Sequence, residues 1–239
     1  MRRIVLVAME EEAAPFLERA SDIDEAVPVG GSLHRDVVID GTSILLVQSG
    51  IGFVNAAGAA TSAILRAELI GGRVEAVISA GTAGGLGPGL RVGDVAVGAE
   101  YVNLDADARV FGYRIGQVPG MPASYVGDAA LHARALSGAA RAGASWSVHS
   151  GLFASSDSFM TPGKFARIEH DFPGITATDM ESIAIAQTCH VHGVPFVSIR
   201  GISDLAGPTG ADEFDSNAPA AAERSAEVVL SVLASARPR

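Results

Sequence analysis

Short apolar runs of strand length alternate with longer alanine-rich segments along most of this chain. Residues 4–8 are apolar throughout, and residues 74–79 are apolar apart from Glu75 and Ser79, rather than strictly alternating with polar residues. A strand of that kind must be covered on both faces, because its side chains point alternately to either side of a sheet. The intervening segments predict the cover. Residues 10–20 read as a helix with acidic residues in its first turn, where the helix dipole favours them, and with Pro15 early enough to be tolerated. Residues 55–69 read as another, ending near Gly71-Gly72, and residues 129–142, 162–171 and 181–192 as three more, the last closed by Gly193. Residues 220–236 predict an amphipathic terminal helix with Val228, Val229, Val232 and Leu233 on one stripe. Further strands are expected at 94–97, 147–153 and 196–200, the last of the chain, and a hairpin where residues 37–39 and 43–48 flank Asp40-Gly41. Residues 81–87 read as a glycine-rich turn, 103–125 as a long loop, and the polar stretch 204–217 as a mobile loop or lid. The expected fold is α/β: a three-layer α/β/α arrangement around a central mixed, mainly parallel twisted sheet, in a single domain over residues 1–239.

Composition narrows the partners. Of 239 residues, 48% are hydrophobic, enough for a core and too many for a disordered chain. Lys plus Arg number 17 against 27 Asp plus Glu, a net charge of -10, so nucleic acid and an anionic membrane surface are poor partners. The apolar run after Met1-Arg2-Arg3 stops at Glu10 after six residues, too short for a signal peptide, and no stretch approaches the roughly 20 apolar residues of a membrane span. The single Cys189 forms neither an internal disulfide nor a cysteine metal cage. A reducing, cytoplasmic setting is expected.

In open α/β sheets, ligands sit at the carboxyl ends of the strands. The residues there are Met9-Glu10-Glu11-Glu12, Ser49-Gly50-Ile51-Gly52, the glycine segment 81–87, residues 155–161, Asp179-Met180-Glu181 and Ser203-Asp204. A strand-end carboxylate is often only a helix cap or a solvated turn. Carboxylates at three separate strand ends suggest acid–base chemistry without a metal, because two carboxylates in different environments hold different proton affinities. Glycosidic cleavage uses such a pair.

Other motifs are weaker. Residues 81–87 lack the Lys-Ser/Thr of a P-loop. Gly50-Ile51-Gly52 is half a dinucleotide fingerprint, and a tight strand-to-helix turn explains it as well. His190 and His192 diverge on a helix and fit a helix end better than a metal site. Cys189 reads as a core thiol and Trp146 as packing.

The segments Ala8-Met9-Glu10-Glu11-Glu12, Ser49-Gly50-Ile51-Gly52, Gly81-Thr82-Ala83-Gly84-Gly85-Leu86, Phe111-Gly112-Tyr113 with Gly116-Gln117-Val118-Pro119-Gly120, Asp157-Ser158-Phe159, Asp179-Met180-Glu181 and Arg200-Gly201-Ile202-Ser203-Asp204 carry a family resemblance. In this order and spacing, over nearly the whole chain, the sequence resembles the 5′-methylthioadenosine/S-adenosylhomocysteine nucleosidases of the nucleoside phosphorylase superfamily. The resemblance implies hydrolysis of the N-glycosidic bond to adenine and a 5-thio-substituted ribose, with 5′-deoxyadenosine a further substrate and no cofactor or metal. It implies that Asp204 protonates adenine N7, oriented by Ser203, that Glu12 activates water, and that Glu181 binds the ribose hydroxyls with Met180 against the sugar. Phe159 would stack on adenine, with the Met160 backbone reading its edge. Met9, Ile51 and Phe214 would line the 5′-alkylthio pocket, with Thr82, Gly84 and Asp179 also in the substrate site. Phe111, Tyr113 and Pro119 match a part of that pocket lent by a second subunit, which implies a homodimer.

Three positions depart from the family pattern. Asp179 stands where relatives have Glu, Leu104 where many have His, and Thr82 where they often have Ser. Three other readings compete. A purine nucleoside phosphorylase of the same fold needs cations and glycine amides for phosphate, where this chain has Glu10-Glu11-Glu12. A futalosine or aminofutalosine nucleosidase would use the same catalytic residues. A non-catalytic nucleoside-binding protein would lack Glu12, Glu181 or Asp204, and all three are present.

Overall fold

The computed structural model describes residues 2–140 and 145–234. Strand β1 (Arg2–Val7) lies at the centre, paired in parallel with β5 (Thr42–Gln48) on one side and with β6 (Val74–Gly85) on the other. β6 pairs in parallel with β11 (Phe196–Asp204). β7 (Val95–Asn103) runs antiparallel to β11 and parallel to β9 (Val148–Ser155), and β9 pairs in parallel with β10 (Ile175–Asp179). The expected hairpin forms between β4 (Ser32–Ile39) and β5, and its turn places Asp40 at φ 49° and Gly41 at φ 70°, the double positive-φ geometry of a tight two-residue turn. β2 (Asp22–Ile23) and β3 (Val27–Val29) extend the sheet beside β4, and β8 (Tyr125–Val126) lies beside β7.

Both faces are covered. One carries α2 (Phe53–Leu69) and α5 (Ser182–His192), which bury Ala56, Ala60, Ile64, Ile183 and Ile185 against Ile4, Leu6, Leu45 and Val47. The other carries α1 (Glu10–Glu18), α3 (Ala129–Ala140) and α6 (Gly210–Ala234), where Phe16, Val228, Val229 and Val232 meet Val5, Val7, Ile44 and Ile78. Each fully buried Ile, Leu, Val or Phe contributes about 1.5–3 kcal/mol. Residues 141–142 and 235–236 of the expected helices lie outside the described residues. No helix among the described residues is long and apolar enough to cross a membrane.

Several expectations change. Residues 81–87 are not a turn: β6 continues through Gly85. Its glycines let two strands approach at once, since β6 pairs with β11 up to Gly84 and antiparallel with β10 at Gly84 and Gly85. A Cβ on Gly85 would lie 3.0 Å from Ile202 Cγ2. This second pairing curls one side of the sheet closed. The expected lid over 204–217 is largely helix, because α6 starts at Gly210, with Asp212 and Glu213 in its first turn favoured by the dipole. β10 carries no long apolar run and went unpredicted, as did β2, β3 and β8. A short helix, α4 (Pro162–Ile168), ends earlier than expected, and the loop around 103–125 contains one 3-10 turn at Arg109–Phe111.

His34 on β4 is fully buried, with Nε2 at 3.0 Å from Ser32 Oγ and 3.3 Å from Ser62 Oγ. Burial, then the nearby Arg66 cation, push its pKa from 6.5 down to about 4, against the opposing pull of Asp36. The unfolded chain therefore takes up this proton between 6.5 and about 4 while the folded chain does not. This share of stability is complete above 6.5 and is lost as pH falls towards about 4. Urea midpoints measured across that window should fall less steeply in His34→Asn than in the wild type; equal slopes would remove His34 from the account.

Candidate active site

The carboxyl ends of β1, β6, β10 and β11 converge with the N-termini of α1 and α5 on one cavity of about 290 Å³. Its lining brings together Met9, Glu12, Ile51, Thr82, Gly84, Phe159, Met160, Asp179, Met180, Glu181, Ser203, Asp204 and Phe214, each expected from sequence. Phe111, Tyr113 and Pro119 are not among the lining residues, and Phe111 stands 78% exposed. No Lys, Arg or His of the described residues lines the cavity, whereas Glu12, Asp179, Glu181, Asp204 and Asp215 do. Among the described residues no group of three or more His, Cys, Asp or Glu is arranged to hold a metal ion.

Glu12 sits in the first turn of α1, where four backbone N–H groups lack partners within the helix. It bends back into that gap. Its Oε2 accepts from Ala8 N at 2.8 Å and Met9 N at 3.2 Å. Its Oε1 accepts from Thr82 N at 2.8 Å and Thr82 Oγ at 3.1 Å. Helix and strand thus hold one carboxylate at the cavity floor. Gly81 permits this: a Cβ there would lie 2.4 Å from Glu12 Oε1 and 2.6 Å from an Arg200 Nη.

Glu181 stands at the N-cap of α5. Its Oε1 accepts from Gly52 N at 3.1 Å, in the turn where Gly50 and Gly52 take φ 81° and 97°. That tight turn, rather than dinucleotide binding, accounts for the glycine pair. Burial pushes the Glu181 pKa up to about 7; Arg200 opposes this, and Asp179 and Glu12 add to it.

Asp204 ends β11. Its Oδ1 accepts from Ala206 N at 2.8 Å and its Oδ2 from Ser203 Oγ at 3.0 Å. Ala206 holds φ 52°, a strained conformation for a residue with a Cβ, beside the group whose orientation matters. Burial raises the Asp204 pKa; the Ala206 and Ser203 hydrogen bonds oppose it, and Glu213 adds to it. Phe159 faces Phe214 edge-on at 6.3 Å, which forms an aromatic mouth.

Asp179 lines the cavity, but its carboxylate is engaged behind it. Ser155 Oγ donates to Oδ1 at 2.5 Å, Ser182 N donates at 3.2 Å, and Arg200 Nε lies 3.1 Å from Oδ2. Sequence reasoning assigned Arg200 no role. Its signal was available: a charged residue inside a strand that is otherwise apolar or small must be paired to be buried. Cys189 is a buried thiol, with its pKa pushed up to about 12 by burial, and Trp146 packs on the α1–α3–α6 side.

A profile of the phosphorylase superfamily matches residues 2–234. The chain is 42% identical over 234 residues to the 5′-methylthioadenosine/S-adenosylhomocysteine nucleosidase of Geobacillus kaustophilus, covering 98% of this chain and 97% of that protein. The chain belongs to this nucleosidase family. The crystal structure of the Neisseria meningitidis member in complex with methylthio-immucillin-A superposes with a TM-score of 0.90 at 38% identity, covering 98% of this chain and all (100%) of that one. A futalosine hydrolase of Helicobacter pylori superposes with a TM-score of 0.88 at 29% identity, with 98% of each chain covered.

Gly81→Ala is expected to displace the Glu12 carboxylate and lower turnover by about 10²-fold. Steady-state kinetics beside circular dichroism check it; full turnover with an unchanged fold would contradict the placement of Glu12.

Proposed function

We propose that this chain hydrolyses the N-glycosidic bond of 5′-methylthioadenosine and S-adenosylhomocysteine, releasing adenine and the 5-thio-substituted ribose. One observation carries the choice of water over phosphate: five acidic residues line the cavity, of which Asp179 turns its carboxylate behind it to Arg200, and no Lys, Arg or His among the described residues lines it. A phosphate anion would enter against that charge, whereas the cation that develops on ribose as the bond breaks is stabilised by it.

The chemistry divides by environment. Adenine leaves poorly as an anion, so a proton must reach N7. Asp204, with its proton affinity raised by burial, is the acid, and Ser203 orients it. Glu181 accepts from the ribose hydroxyls through lone pairs left beside its Gly52 contact. Glu12 activates the attacking water. The Thr82 hydroxyl is the one donor on Oε1 that turns freely, and its rotation opens that oxygen to a water. Phe159 stacks on adenine, the Met160 backbone reads the base edge, Met180 packs on the sugar, and Met9, Ile51 and Phe214 receive the 5′ substituent.

A homodimer completes the site in this reading. Ile51 on the cavity wall is 50% exposed, so the 5′ end of the cavity is open in the single chain. Beside it, Phe53, Val54, Ala57, Ile183 and Val191 line an apolar groove of about 370 Å³ between α2 and α5. An apolar face of this sort is what a partner subunit covers, and the partner would bring Phe111, Tyr113 and Pro119. The chain works in the cytoplasm, a reducing compartment in which a lone buried thiol is ordinary.

Adenine release from methylthioadenosine, adenosylhomocysteine, 5′-deoxyadenosine and aminofutalosine tests the reading. The first two should be turned over, and Asp204→Asn should slow them by about 10²–10⁴-fold with the fold retained. Release from aminofutalosine alone would move the chain to the futalosine type. Wild-type turnover in Asp204→Asn would end the acid assignment.

A further inference from the structure

The guanidinium of Arg200 is 1% exposed and stands among three carboxylates. Its Nε lies 3.1 Å from Asp179 Oδ2 and 3.2 Å from Ser198 Oγ. One Nη lies 2.9 Å from Ser79 Oγ, 3.4 Å from Ser182 Oγ and 3.5 Å from Glu181 Oε2. The other Nη and Glu12 Oε1 flank the same side of Gly81. The cation thus donates its Nε–H to Ser198 Oγ and pairs with two carboxylates, with Asp179 more closely, at 3.1 Å, than with Glu181, at 3.5 Å.

That difference matters for the ribose site. A guanidinium free to choose would dock both its donors on one carboxylate, the fork-to-fork pairing it prefers. Docked on Glu181, it would occupy the lone pairs that the ribose hydroxyls need. In the structure its Nε lies instead beside Asp179. The Asp179 carboxylate is itself fixed by Ser155 Oγ and by both the N–H and the hydroxyl of Ser182, and Ser182 Oγ lies 2.7 Å from Ser198 Oγ. The serine hydroxyls 79, 182 and 198 complete a cradle that holds the cation from behind.

We propose that Asp179 is a positioning residue, whose closer ion pair draws Arg200 to its side and so keeps the cation within ion-pair distance of Glu181 but off the lone pairs that the ribose hydroxyls need. This rests on the proposed function and names a residue that acts on the substrate only through two others. The charged and titratable groups around the pair are Glu12 from α1, Asp179 from β10, Arg200 from β11, Tyr101 from β7 and Cys189 from α5. Tyr101 and Cys189 are both buried with their pKa values raised by burial, so neither changes charge near neutrality.

The test is the binding of 5′-methylthio-7-deazaadenosine as a function of pH. Carbon at position 7 accepts no proton from Asp204, so the pH dependence reports the ribose side. The wild type should bind less well below about 7, where Glu181 takes up its proton. Asn at 179 keeps the acceptor for Ser155 Oγ and Ser182 N but drops the charge. Asp179→Asn should therefore move the break down by about one pH unit as Arg200 closes on Glu181. It should also weaken binding on the alkaline plateau by about tenfold. Arg200→Lys, whose single ammonium stays with Asp179 and cannot also serve Glu181, should move the break up by about one unit. If Asp179→Asn does not fold, Arg200→Lys decides alone. An unmoved or upward break in folded Asp179→Asn, or an unmoved or downward break in Arg200→Lys, overturns the proposal. Failure of the wild type to release adenine from methylthioadenosine is a separate result and would instead overturn the function.

Discussion

A cation buried to 1% exposure organises this molecule. Moving a guanidinium out of water costs several kcal/mol, and only close anions and hydroxyl oxygens offset it. Arg200 obtains them from β6, β10, β11 and the start of α5, through Ser79, Asp179, Ser198, Glu181 and Ser182. Removing one partner of such a pair typically costs about 3–5 kcal/mol, so the strand ends that supply them are held in register by electrostatics as well as by the ladder. The double pairing of β6 at Gly84 and Gly85 serves the same end, since it brings β10, with Asp179, against the strand pair that carries Gly81 and Asp204.

Three carboxylates of the cavity differ in their surroundings, and the proposed function gives them different tasks. Glu12 accepts four hydrogen bonds and is fixed in place. Glu181 has one N–H and a cation at a distance, and its pKa rises to about 7. Asp204 has no cation in contact among the described residues; burial raises its proton affinity, against the opposing Ala206 and Ser203 hydrogen bonds. Identical chemistry separated by environment is the usual way one site runs an acid and a base at the same pH.

Much of this was legible in the residues, for physical reasons. The continuous apolar run at 4–8 and the largely apolar run at 74–79 announced strands covered on both faces, and Asp40-Gly41 announced its turn. The strand-end carboxylates were visible because this fold collects ligands there. What stayed hidden depended on tertiary partners. The glycines of β6 carry no strand propensity and become strand only because β11 and β10 close on them. The polar start of α6 read as a loop because its buried face resumes only at Ala218; before that, Asn217 Nδ2 donates to Ser203 O and the dipole favours Asp212 and Glu213. The resemblance placed Asp179 in the substrate site, and a sequence does not show which way a side chain turns; Asp179 lines the cavity while its carboxylate turns to Ser155, Ser182 and Arg200.

In the proposed function, this set of carboxylates delivers water to the anomeric carbon and refuses phosphate. Hydrolysis of methylthioadenosine in ¹⁸O-enriched water containing phosphate, with the pentose collected early and weighed by mass spectrometry, tests it most directly. The account predicts one ¹⁸O on C1 of the methylthioribose and no pentose 1-phosphate. A pentose 1-phosphate whose C1 oxygen carries no label would contradict it.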